Sequence, residues 1–203
     1  SYGACLNFVK PEFLLDHEDF KRLVASREVS GKLSKNVIRE WKALEERFAA
    51  VSSYCWTSLI FQVVKVFVVS RVSLKSLKGL PISQHIEMGK SYFSRSNMHS
   101  VPEVVLLKWM TAHLFQALPG NATCITNFDQ DLRNGLAFYS LLVGYWPSLN
   151  SYSKFLKKNP RGDNQIRENA DLVVRMLRSL QLPYVLAPED ILDPDPRDML
   201  LYC

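Results

Sequence analysis

Two runs of apolar residues between positions 101 and 147 recur three and four apart, and a proline closes each. In the first, Val105, Leu106, Trp109, His113 and Leu114 fall on one helical face. Pro102 stands where an opening turn tolerates a missing N–H, and Leu118, Pro119 and Gly120 end the run. In the second, Asn127 or Asp129 caps a helix whose Leu132, Leu136, Tyr139, Leu142 and Val143 form an inward stripe. Gly135 lets another backbone approach closely, and Pro147 stops the helix. This spacing points to helices packed on helices.

The rest of the chain has the same period. Over residues 11–26, Phe13, Leu14, His17, Phe20, Leu23 and Val24 repeat at helical spacing, with Glu12, Asp16, Glu18 and Asp19 at the start and Lys21, Arg22 and Arg27 at the end, as the helix dipole favours. Ser30 and Gly31 break the pattern. Ser34 caps a second, long amphipathic helix in which Val37, Trp41, Leu44, Phe48, Val51 and Cys55 turn inward and Lys35, Arg39, Lys42, Glu45, Glu46 and Arg47 outward. That outer face reads first as solvated, with a basic docking surface as the second reading. Beyond Cys55 the run WTSLIFQVVKVFVVSRV is apolar all round, which predicts a buried helix, or a strand given its Val residues. A membrane span would need about 20 apolar residues, and a central Lys65 would cost about 2.5–3.5 kcal/mol there, so a core helix is preferred. Residues 72–100 read as a connector with a helical turn near 82–88, packed on the second half of the chain. After a polar segment anchored by Tyr152, Phe155 and Leu156, residues 164–180 bury Ile166, Ala170, Val173, Val174, Leu177 and Leu180. Pro183, Pro188, Pro194 and Pro196 punctuate the return path.

Charge is unevenly placed. The net +5 divides into 15 Lys/Arg against 9 Asp/Glu in residues 1–100 and 10 against 11 in residues 101–203, so an anionic partner should meet the first half. Cys5, Cys55, Cys124 and Cys203 lack the pair spacing of a zinc site and the density of a disulfide scaffold, which favours a reducing compartment. His17, His85, His99 and His113 show no two-ligand spacing, and Asp129 and Asp131 read as capping carboxylates rather than a catalytic pair. Arg161-Gly162-Asp163 and Asn121-Ala122-Thr123 spell adhesion and glycosylation motifs that need an extracellular setting. No nucleophile motif, phosphate-cradling loop or dinucleotide fingerprint occurs, so no enzyme activity, cofactor, metal or small-molecule substrate is expected. Nucleic acid and membrane are not expected partners either.

At LLKWMTAHL, NFDQDLRNGL and residues 169–203 the chain resembles the calponin-homology (CH) domain: a core helix around a Trp, a second helix with an Asp-Leu pair and a Gly, a long helix, a Pro-containing turn and an acidic short helix. The resemblance implies an all-α CH-type domain at 101–203, preceded by a helical basic extension at 1–100 packed on it. The chain stops at Cys203, before the family's last helix usually ends, so a last helix cut short is implied. Trp109, Leu132, Gly135 and Leu177 are then core positions, and Trp109→Ala should cost about 3–5 kcal/mol. Tandem CH pairs of this family bind actin, while single copies bind microtubules or hold other partners; here one copy is present. With its preamble, the chain looks like the CH region of large cilia- and flagella-associated proteins. This implies a non-enzymatic cytoskeletal module in the cytoplasm, at the axoneme of a cilium or flagellum, with tubulin favoured over actin. A purely structural spacer and an actin-binding module are the alternatives. The candidate binding residues are Lys35, Arg39, Lys42, Trp146, Tyr152 and Tyr184.

Overall fold

A computed structural model describes residues 6–31, 34–73, 75, 99–121, 123–182 and 185–202, and divides the chain into two compact units, Ser1–Val69 and Ser70–Cys203. Its described residues form helices and no strand, as the all-α reading requires.

In the first unit a 3-10 turn, Pro11–Leu14, leads into α1 (His17–Ser30), α2 (Lys35–Glu45) and α3 (Phe48–Phe67). Asp16 caps α1 by accepting the Asp19 N–H at 2.8 Å, and Gly31 ends it in the left-handed region at φ 62°. Ser34 caps α2 as expected. The core is Phe13, Phe20, Val24, Ile38, Phe48 and Cys55. Phe20 sits among rings, 4.8 Å from Phe13, 5.0 Å from Phe48 and 6.2 Å from Trp41.

Two expectations fail in this unit. Residues 34–55 are not one helix: Arg47 leaves helical geometry at φ −113° and ψ 18°, and the turn at Glu46 and Arg47 brings Phe48 beneath Phe13, Phe20 and His17. Neither glycine nor proline marks the break. The apolar run is helical but not buried. Within α3 only Phe48 and Cys55 are buried, because the 3-10 turn and α2 cover one of its faces. Trp56, Ile60, Val63 and Phe67 remain 45–59% exposed. By length and composition alone, Phe48–Arg71 is also long and apolar enough to cross a membrane. The helical turn expected near 82–88 lies outside the described residues.

The second unit holds α4 (Val101–Ala117), α5 (Leu136–Tyr145), a 3-10 segment (Pro147–Phe155), α6 (Asp163–Ser179), α7 (Pro188–Leu192) and α8 (Pro196–Tyr202). A capping box starts α4: Glu103 Oε2 accepts the Ser100 N–H at 2.6 Å. Helix α4 packs on α5, α5 on α6 and the 3-10 segment, and α6 on α7. Leu107, Met110, Leu132, Tyr139, Leu172 and Met176 lie in the shared interior.

Helix α5 begins later than the sequence predicts. Asn127 Oδ1 accepts the Asp131 N–H at 3.0 Å and Asp131 Oδ2 accepts the Thr126 N–H at 2.7 Å, so these side chains stabilise turns instead of capping a helix. The helix starts after Gly135, which adopts φ +72°, with Asn134 Oδ1 accepting the Leu136 N–H at 2.9 Å. A Cβ on Gly135 would also meet the Asn169 backbone at 3.4 Å, so backbone geometry and close approach both favour glycine here.

Candidate binding surfaces

Helices α4, α5, α6 and α8 enclose an apolar groove of about 490 Å³, lined by Trp109, Phe138, Leu141, Leu142, Tyr145, Trp146, Leu177, Leu182, Leu186 and Tyr202. It forms because α5 ends in aromatics: Tyr145 and Trp146 stand 48% and 42% exposed at its last turn, where the next residue, Pro147, cannot continue the helix. Trp109 and Leu177, placed in the core by the sequence, are half-buried and serve as walls of this groove. Leu132 and Gly135 are buried. Of the aromatic binding candidates, Trp146 lies in the groove and Tyr152 is half-buried in the 3-10 segment away from its lining, while Tyr184 lies outside the described residues. Tyr145, Leu182, Leu186 and Tyr202 were not singled out from the sequence. Only the aromatic content of the FYSLLVGYW run hinted at this surface.

Behind the groove, His113 is boxed between Trp109 and Tyr145, with ring centroids at 5.2 and 5.3 Å. Gly144 makes room for it, since a Cβ there would fall 2.6 Å from Nδ1. Neither ring nitrogen has a hydrogen-bond partner, and burial holds the imidazole below its ordinary pKa of 6.5. The unfolded chain therefore binds a proton in a range where the folded one resists it. His113's contribution is full above about pH 6.5 and is lost as pH falls below that value. The second unit should melt at progressively lower temperature from about pH 7 to pH 5, and His113→Leu should flatten that slope in thermal melts tracked by near-UV circular dichroism.

The edge of the unit is fixed by Asn169, whose side chain is fully buried on α6. Its Nδ2 donates to Asn134 O at 3.1 Å and to Lys157 O at 3.0 Å, and its Oδ1 accepts the Lys157 N–H at 2.9 Å. One amide thus ties the turn before α5 and the loop after the 3-10 segment to α6. A lone Asn within a helical stripe carries no spacing signal that would announce this role.

In the first unit, the cations read from the sequence separate into two kinds. Lys42 is engaged, its Nζ 2.7 Å from Glu28 Oε2 of α1, and the neighbouring Glu40 pairs with Lys10. Lys35 and Arg39, one turn apart on α2, are exposed and make no ion pair with the described residues. The α2 face is therefore part solvated ion-pair lattice, part open basic strip. Among the described residues no three potential metal-ligating side chains converge.

Residues 100–203 match the family model of the calponin homology (CH) domain, and residues 1–72 match that of the cilia- and flagella-associated protein 47 domain. Cilia- and flagella-associated protein 47 from Homo sapiens is 29% identical over 99% of this chain, and that from Mus musculus 27% over 99%; the chain spans 7% of the length of either. Fimbrin-5 from Arabidopsis thaliana is 30% identical over 69% of the chain, which covers 19% of that protein. No solved structure matches significantly. With half of its length matched by the family model and the helices of that half in place, the chain belongs to the calponin-homology family, a family of cytoskeletal binding modules.

Proposed function

We propose that this chain is a non-enzymatic docking module of a ciliary or axonemal scaffold, with a basic helical extension over residues 1–100 and a CH domain over residues 101–203, and that the extension meets the acidic surface of the microtubule. The observation that carries this reading is the exposed pair Lys35 and Arg39, free of ion pairs with the described residues, in the half of the chain holding 15 cationic against 9 anionic side chains. The groove at Trp109 and Trp146 then serves a neighbouring protein, as aromatic anchors do at interfaces. Similarity to cilia- and flagella-associated proteins over nearly the whole chain supports the axonemal setting.

Microtubule co-sedimentation should show binding at low salt that weakens strongly at physiological ionic strength, where screening acts over about 8 Å. Binding absent at both salts, or indifferent to salt, contradicts the electrostatic reading. Actin belongs in the same assay as the second reading, because fimbrins are among the similar proteins.

A further inference from the structure

The exposed face of α3 is a regular seam. Ala49, Ser53, Trp56, Ile60, Val63 and Phe67 are all exposed and are spaced 4, 3, 4, 3 and 4, the alternation of a and d positions in a coiled coil. Phe48 and Cys55 turn into the unit's own core, about a third of a turn round the helix from this seam. We propose that this seam pairs α3 antiparallel with α3 of a second copy of the chain.

Four observations select that occupant. The positions flanking the seam, Ala50, Ser52, Thr57, Leu59, Val64 and Val66, carry no charge, so identical helices meet without repulsion where coiled coils normally set partner choice. The seam tapers from small residues, Ala49 and Ser53, to bulky ones. An antiparallel pair centred near Ser58 sets Ala49 against Phe67, Ser53 against Val63 and Trp56 against Ile60, which evens the packing; a parallel pair would stack small on small and bulky on bulky. Charge is weakly polar along the element: Glu45, Glu46 and Arg47 before α3 sum to −1, while Lys65 in its last turn carries +1, so antiparallel pairing brings opposite signs toward each other. Finally, side chains about half exposed on Trp56, Ile60, Val63 and Phe67 offer on the order of 400 Å² of apolar surface per copy, which places the pair among small, weak interfaces. A lipid surface fits less well, because an interfacial helix presents its apolar face with several Lys and Arg opposite it, and Lys65 is the single charged residue of α3.

Sedimentation velocity of the full 203-residue chain over a hundredfold range of concentration tests this. The expected result is a reversible monomer–dimer equilibrium, with Ile60→Asp and Trp56→Arg each monomeric throughout and each retaining its helical circular dichroism, since both sites are solvent-facing. An equimolar mixture of the two variants should dimerise again. Antiparallel pairing sets the introduced carboxylate against the introduced guanidinium at one crossing point and leaves Trp56 against Ile60 at the other. A wild-type chain that stays monomeric, a dimer that survives Ile60→Asp, or a mixture that stays monomeric overturns the proposal. So does a monomeric chain that floats with phosphatidylserine–phosphatidylcholine vesicles through this face, which would assign the seam to a bilayer.

Discussion

Phe20→Ala should unfold the first unit. Its ring is fully buried and lies within about one ring diameter of Phe13, Phe48 and Trp41, so its removal deletes the shared contact of the 3-10 turn, α1, α2 and α3. Truncating a buried Phe costs about 3–5 kcal/mol through lost transfer energy and the cavity left behind. A unit of this size buries a modest fraction of its surface and has little stability to lose, against about 5–15 kcal/mol for an ordinary domain. The core of the CH unit contains none of these residues. Limited proteolysis of the variant should therefore cut first within residues 8–69, while α4 to α6 stay protected. A loss below about 1 kcal/mol in chemical denaturation would place Phe20 outside the core.

Asn169→Ala should have a comparable effect in the second unit for a different reason. Two carbonyls, Asn134 O and Lys157 O, and one N–H, that of Lys157, lose their fully buried partner at a part-buried place. Each unsatisfied buried group costs about 1–3 kcal/mol and one that water can reach costs less, so a total of about 2–3 kcal/mol is expected. Hydrogen exchange should rise first at the amides of Lys157 and of the turn leading into α5. Asn169→Asp keeps the acceptor for the Lys157 N–H but turns a donor into a second acceptor facing two carbonyls, so it should not rescue. Rescue by Asp would mean that Asn169 acts through the Lys157 N–H alone.

Much of this architecture is written in local pattern. The α6 stripe, the Ser34 cap, the Gly31 stop and the Pro147 stop each rest on one or two residues whose chemistry has a single favoured use, and the structure places them within a residue or two. The errors fall where the deciding interaction is distant in sequence. The break before Phe48 is made by rings contributed from residues 13 to 20, not by a local breaker. The delayed start of α5 comes from competition between turns and helix for the same Asn and Asp side chains. Periodicity reports that α3 is apolar all round, but whether neighbours cover both faces depends on how many elements the unit contains. The groove shows the same limit: Trp109, Trp146 and Leu177 could be named one by one, yet only packing reveals that they share a wall with Tyr202.

If the exposed cations of α2 carry filament binding, the Lys35→Glu, Arg39→Glu double variant should lose it. Both residues are exposed and make no ion pair with the described residues, so their reversal should leave the fold and the α1–α2 pair between Glu28 and Lys42 intact. In microtubule co-sedimentation at low salt the variant should bind at least about tenfold more weakly than the wild type, a difference of about 1.4 kcal/mol, and the salt dependence should flatten with it. Unchanged affinity in a folded variant would contradict the proposed function and move filament binding away from the basic strip.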